Sequence, residues 1–92
     1  MNDRIRRTCQ IVNEKGLHAR ASAKLVETVE GFDADAEVSR NGMSASGDSI
    51  MGLLMLAASK GTAIEIETRG AQALELADAL EKLVADRFGE DM

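Results

Sequence analysis

The only histidine of the chain occupies a position that gives it chemistry beyond its residue type. His18 lies in the run Gly16-Leu17-His18-Ala19-Arg20, where an alternating segment has ended and helical spacing begins. A helix start presents free backbone N–H groups and about half a positive charge, which together stabilise an anion. An imidazole nitrogen is nucleophilic near neutral pH, and the phosphoramidate that it forms can pass its phosphoryl group onward. The pattern therefore indicates a reversible phosphate carrier.

Arg20 completes a minimal phosphate site with His18. Its planar guanidinium can bind two phosphoryl oxygens at once, whereas a lysine would act only as a point charge. We expect the backbone amides of Ala19, Arg20 and Ala21 to bind the same phosphate. The alternative is that His18 is a surface or capping residue without chemical function, and spacing alone leaves both interpretations open.

Composition limits the other functions. A chain of 92 residues predicts one domain, residues 1–92, with a core but no deep cleft for several substrates. Its hydrophobic content of 45% is too high for intrinsic disorder. A net charge of −5 and only two aromatic residues argue against nucleic acid as a partner, since such binders need a basic face or stacking platforms.

Cysteine content and hydropathy bear on cofactors and location. Cys9 is the only cysteine, which excludes an internal disulfide and a cysteine-rich metal site, so we expect no metal and no cofactor. The first residues are charged and lack an apolar signal segment, and no apolar run has the length of a membrane span. We therefore expect a cytoplasmic protein without membrane insertion.

Hydrophobic periodicity predicts an α+β fold in the order βαββαβα. The predicted elements are a strand over 5–12, a helix after the 13–16 turn that stops at Gly31, a hairpin around Asn41-Gly42, a helix from 50 that closes at Lys60-Gly61, a strand over 62–69 and a helix over 73–84. Short connections favour an open-faced sandwich, in which a four-stranded antiparallel sheet carries three helices on one face.

The second predicted helix is more apolar than a short helix with one buried face requires. We expect some of its hydrophobic side chains to contact a partner, the candidates being Ile50, Met51, Leu54 and Met55. The alternative is that Leu53 and Leu56 are core residues and the others pack at its margin. Lys24, one helical turn after Arg20, adds a basic spot that could steer acidic partners, although Glu27 on the same face weakens it.

Three segments occur in an order that resembles the HPr family of phosphocarrier proteins. They are Gly16–Arg20, the Asn41-Gly42 turn and Ser49-Ile50-Met51-Gly52, and the similarity spans almost the whole chain. The resemblance implies a relay of the phosphoenolpyruvate-dependent phosphotransferase system. In it, Enzyme I phosphorylates Nδ1 of the family's histidine, here His18, which then phosphorylates a histidine of an Enzyme IIA. Arg20 matches the family's site arginine.

The resemblance also implies roles for the second helix. Ile50, Met51 and Leu54 match the Enzyme I docking surface, and Ser49 matches a position that a dedicated kinase, the HPr kinase/phosphorylase, phosphorylates in part of the family. We therefore expect regulatory phosphorylation at Ser49, with the alternative that this serine is simply a helix N-cap. We expect the carrier to be a monomer.

Ala21 departs from the family pattern, which usually has proline at this position. Alanine restores a backbone N–H that could bind phosphate, so we expect phosphorylation to be retained while the rigidity of the loop is left open. The departure is compatible with the sugar-transport branch or with a nitrogen-regulatory branch. The rival hypothesis is a purely regulatory module controlled by Ser49; His18 argues against it, because such a module needs no histidine.

Overall fold

The computed structural model describes residues 4–92 and confirms the predicted α+β open-faced sandwich. Its elements are β1 Arg4–Gln10, α1 Ala19–Glu30, β2 Asp35–Arg40, β3 Met43–Ser46, α2 Ile50–Met55, β4 Ala63–Arg69, α3 Ala73–Ala85 and a 3-10 turn, Arg87–Gly89. The four strands form one sheet in the order β1-β4-β2-β3, and all neighbouring strands are antiparallel. The helices pack against one face of this sheet.

The core lies between that face and the helices. Alternate strand residues such as Cys9, Val38 and Ile66 are buried, as are Leu25 of α1 and Leu80 of α3. Burying a side chain of this size stabilises the fold by roughly 1.5–3 kcal/mol relative to leaving it in water. In β4, Ile64, Ile66 and Thr68 are buried and the residues between them are exposed or half-buried, which shows how the sequence pattern sets the orientation of the strand.

The hairpin between β2 and β3 has the predicted turn. Arg40 and Met43 are paired across it, and Asn41 and Gly42 adopt φ values of 50° and 80°. A two-residue turn with both φ values positive matches the twist of the flanking strands, and Asn-Gly is the preferred sequence for it. The hairpin therefore forms where the dipeptide predicts it.

The second helix is shorter than the sequence predicts. It ends at Met55 rather than continuing to Lys60-Gly61, because Ala57 adopts a left-handed φ of 51° and the chain leaves the helical path. The segment after α2 instead contacts the loop before α1: the carbonyl of Ala58 accepts a 2.8 Å hydrogen bond from the Leu17 amide. This tertiary contact, which the hydrophobic pattern does not encode, replaces further helical turns.

The chain also forms a turn that the sequence analysis did not predict. Arg87–Gly89 follows α3 directly and folds the last residues back toward the start of α1. None of the helices formed by residues 4–92 has the length and apolar character of a membrane span.

Candidate functional site

His18 is the N-cap residue of α1. Its backbone is extended, with φ −81° and ψ −175°, and its carbonyl accepts a 2.8 Å hydrogen bond from the Ser22 amide. The imidazole makes no capping bond to the helix, and 27% of the side chain is exposed. The ring is therefore available for a role other than capping.

The loop before His18 is held by contacts on both sides. Gly16 adopts a φ of 65°, and a Cβ atom at this position would lie 2.9 Å from the Cα atom of Ser59, so only glycine fits. The buried side-chain amide of Asn13 donates to the Gly16 carbonyl at 2.8 Å. The next residue, Leu17, is bonded to the segment after α2. These contacts support the loop in the absence of the usual proline at Ala21.

The first turn of α1 contains the backbone amides that were predicted to bind phosphate. Within residues 4–92, the amides of Ala19, Arg20 and Ala21 have no hydrogen-bond acceptor, as expected for an uncapped helix start. The exposed guanidinium of Arg20 forms no ion pair with any residue in this range. Hydrogen-bond donors without a partner among residues 4–92 therefore lie on the residues that follow His18 directly.

Glu90 contacts the histidine, and the sequence analysis missed it. Its Oε2 atom lies within hydrogen-bond distance of Nε2 of His18, and its Oε1 atom accepts from Nδ2 of Asn13 at 2.9 Å. Burial of Glu90 raises the pKa of its carboxyl, but the hydrogen bonds from Asn13 and His18 and the charge of Lys15 outweigh burial and hold that pKa below its ordinary value. The carboxylate is thus ionised at neutral pH and can only accept.

The C-terminal segment places Glu90 at this site. Arg87, Phe88 and Gly89 all have positive φ values, between 54° and 78°, and Phe88 is fully buried. Nζ of Lys24 donates to the Phe88 carbonyl at 2.6 Å, and the amide of Glu14 donates to the carbonyl of Met92 at 3.0 Å. The segment is thereby attached to α1, to the loop before it and to the core.

A shallow cleft lies between α1 and the C-terminal segment. Its volume is about 310 Å³, and the lining residues carry charges of both signs: Glu14, Lys15, Arg20, Lys24 and Gly89–Met92. Lys24 was predicted to contact partners, and the structure places its ammonium on the Phe88 carbonyl. The basic spot predicted from the sequence therefore lies beside acidic groups.

The start of α2 is a second location of predicted function. Oγ of Ser49 accepts a 3.0 Å hydrogen bond from the Gly52 amide, so this serine is the N-cap. Beyond it, Met51 and Met55 are 71% and 72% exposed, and Ile50 is 39% exposed. Leu54 is half-buried, while Leu53 and Leu56 lie in the core.

One sequence signal could have indicated the position of Glu90. Phe88 is one of only two aromatic residues in the chain and follows the apolar stripe of α3, and Gly89 comes immediately after it. A large apolar residue followed by glycine at the end of a helix suggests a buried anchor and a change of direction. The contact between Glu90 and His18 itself is tertiary and leaves no local pattern.

Comparison with known proteins identifies the family. The model of the family described as "PTS HPr component phosphorylation site" matches residues 5–86. The chain belongs to the HPr family. It is 46% identical over 86 residues to the phosphocarrier protein HPr of Neisseria meningitidis serogroup B, covering 94% of this chain and 97% of that protein. It is 39% identical over 88 residues to the phosphocarrier protein NPr of Escherichia coli K12, covering 95% and 98%.

A solved structure of the HPr family has the same fold. The crystal structure of HPr-C-His from Thermoanaerobacter tengcongensis superposes with a TM-score of 0.90 at 32% identity, covering 96% of this chain and 99% of that one. The predicted resemblance to phosphocarrier proteins and the predicted fold are both confirmed.

Proposed function

We propose that this chain accepts a phosphoryl group on Nδ1 of His18 from phosphorylated Enzyme I and passes it to a histidine of an Enzyme IIA. The observation that carries the proposal is the arrangement at the start of α1. The imidazole makes no capping bond, its Nε2 atom is hydrogen-bonded to Glu90, and the amides of the next three residues have no acceptor among residues 4–92. Nδ1 is then the nitrogen available to react.

The transfer is an exchange between two imidazole rings. The bond from phosphorus to the donor's nitrogen breaks with its electron pair returning to the donor ring, and a bond from Nδ1 of His18 to phosphorus forms. Arg20 and the amides of Ala19, Arg20 and Ala21 stabilise the negative charge of the phosphoryl oxygens. The same groups act in reverse when His18 becomes the donor, so the chain is a carrier rather than a free-standing enzyme.

The exposed side of α2 serves as the docking surface in this proposal. Ile50, Met51 and Met55 are exposed and apolar, and the half-buried Leu54 lies between them. Methionine side chains adapt their shape to different partners, which suits a carrier that meets Enzyme I and Enzyme IIA in turn. Lys24 could assist the approach of acidic partners, and the carrier would act as a cytoplasmic monomer.

Ser49 is the proposed regulatory site, phosphorylated by an HPr kinase/phosphorylase. A phosphate on Ser49 would remain compatible with the helix start, since the helix dipole favours negative charge there. It would also place that charge next to Ile50, within the docking surface. Phosphorylation of Ser49 would therefore reduce the exchange of phosphate between His18 and Enzyme I.

The test is intact mass spectrometry after incubation with phosphoenolpyruvate and Enzyme I. The wild-type chain should gain one phosphoryl group that acid removes, because phosphoramidates are acid-labile, and His18→Ala should gain none. Since His18 is the only histidine, an acid-labile group on the wild type alone locates the modification. Absence of phosphate on the wild type would contradict the carrier and favour the regulatory module.

A further inference from the structure

The Glu90 carboxylate connects the loop before His18 to the C-terminal segment. One of its oxygens accepts from the side chain of Asn13, which also donates to the Gly16 carbonyl, and the other contacts Nε2 of His18. Only 12% of the Glu90 side chain is exposed. The carboxylate is therefore fixed at both oxygens rather than moving freely in solvent.

This arrangement determines which nitrogen of His18 carries the proton. An ionised carboxylate has no hydrogen to donate, so the Nε2 atom that contacts Glu90 must supply an N–H group. In the neutral imidazole, the other nitrogen then holds the lone pair. With Glu90 in place, Nδ1 is the nucleophilic nitrogen whenever the ring is neutral.

The fold holds Glu90 in this position despite an unfavourable backbone. Arg87 and Phe88 adopt left-handed φ values of 59° and 54°, a conformation that costs about 1–2 kcal/mol for each non-glycine residue. The buried Phe88 ring and the bond from Lys24 to the Phe88 carbonyl offset that cost. Strained backbone that is fixed by surrounding contacts is characteristic of positioned functional groups.

We propose that Glu90 is a positioning residue for His18 that keeps the proton on Nε2 and so prepares Nδ1 for phosphoryl transfer, an inference that rests on the proposed function. As the bond from Nδ1 to phosphorus forms and the donor's nitrogen–phosphorus bond breaks, the His18 ring gains positive charge while Nε2 keeps its proton. The Glu90 carboxylate faces that charge, as the orienting carboxylate does in a Ser-His-Asp triad.

A purely structural role is the alternative for Glu90. In that role the carboxylate would attach the C-terminal segment through its hydrogen bond with Asn13 and would not alter the protonation of the His18 ring. The two roles differ in what happens when the carboxylate becomes an amide of the same shape. Glutamine can accept from a protonated Nε2 or donate to an unprotonated one, so it no longer selects one tautomer.

The experiment compares the wild type with Glu90→Gln and the control Asp91→Asn. The Asp91→Asn variant loses one negative charge, as Glu90→Gln does, at the residue next to Glu90. The Asp91 carboxylate makes no hydrogen bond within residues 4–92. Long-range ¹H–¹⁵N spectra of each unphosphorylated, ¹⁵N-labelled protein, recorded with the imidazole neutral, report which ring nitrogen is protonated. The phosphorylation rate with Enzyme I is then measured for each protein.

We expect the wild type and Asp91→Asn to show protonated Nε2, and Glu90→Gln to show a substantial population with protonated Nδ1. Phosphorylation of Glu90→Gln should be about tenfold slower, by analogy with the loss of a carboxylate that orients a metal-bound histidine. An unchanged tautomer in Glu90→Gln, or an equal loss of rate in both variants, would overturn the proposal. The spectra need no phosphate, so a chain that Enzyme I does not phosphorylate contradicts the proposed function while the tautomer result still decides the role of Glu90.

Discussion

The starts of α1 and α2 use the same backbone chemistry in opposite ways. At α2, the N-cap Ser49 directs its own hydroxyl to the Gly52 amide, so the helix start is closed by a local side chain. At α1, the N-cap His18 makes no such bond, and the next three amides have no acceptor among residues 4–92. The difference teaches that a helix start without a capping side chain keeps its backbone amides available, and the proposed phosphate site depends on these amides.

The two helix starts also differ in what lies next to them. The C-terminal segment folds over the start of α1 and brings Glu90 to the imidazole. The start of α2 leads instead to the exposed, apolar side chains of Ile50 and Met51. The start of α1 thus has a carboxylate beside an imidazole, whereas the start of α2 has exposed apolar side chains, and this difference matches the separate roles proposed for them.

Removing Arg20 should have the largest effect and should act only at α1. We expect Arg20→Ala to slow phosphorylation of His18 by roughly a hundredfold, the low end for loss of one donor to developing negative charge. The free energy of unfolding of Arg20→Ala should equal that of the wild type, since the Arg20 guanidinium is exposed and forms no ion pair within residues 4–92. Single-turnover rates with phosphorylated Enzyme I measure the effect.

Arg69→Ala is the matched control for this prediction. It removes the same charge from an exposed residue at the end of β4, opposite Arg4 in the register of the sheet. This end of the strand is the one farther from the loop before His18. Its phosphorylation rate should stay near that of the wild type. Equal slowing in both variants would mean that Arg20 acts through overall charge, and the site assigned to it would be wrong.

Removing the Ser49 hydroxyl should have a smaller effect, on stability. We expect Ser49→Ala to lower the free energy of unfolding by about 1 kcal/mol, the usual cost of losing a serine cap. Ser44→Ala, a change on the exposed edge strand β3, should cost less than about 0.5 kcal/mol. Urea unfolding with equal m-values gives both numbers. A loss of equal size in both variants would show that the Ser49 bond adds nothing to the helix start.

The sequence predicts features that depend on neighbouring residues. Asn41-Gly42 predicts its own turn because both residues tolerate positive φ, and the apolar stripe of α3 predicts a helix because its spacing matches the helical period. His18 could be proposed as a site because the helix start and Arg20 lie beside it in the chain. In each case the determining interactions are local.

Features that depend on distant residues were missed. The early end of α2 depends on Ala58 bonding to Leu17, and the role of Glu90 depends on a contact with a residue near the other end of the chain. Neither contact produces a periodic pattern or a turn signal. Tertiary hydrogen bonds of this kind appear only once the fold brings the segments together.

The smallest predicted effect is a pH dependence that the start of α1 has and the start of α2 lacks. The pKa of Glu90 in the folded chain lies below its ordinary value of 4.5, since the hydrogen bonds from Asn13 and His18 outweigh the effect of burial. A lowered carboxyl pKa contributes stability that is fully present above about pH 4.5 and is lost as the pH falls through the lower folded value.

The difference in unfolding free energy between the wild type and Glu90→Gln should therefore shrink as the pH falls below about 4.5. We expect a total change of about 1 kcal/mol or less, the size of an ordinary hydrogen bond. The Ser49 hydroxyl does not titrate, so the Ser49→Ala difference should stay flat. Urea unfolding between neutral and acidic pH measures both differences. A Glu90→Gln difference that stays flat would show that its carboxylate is not held by Asn13 and His18, and the two helix starts would no longer differ in this respect.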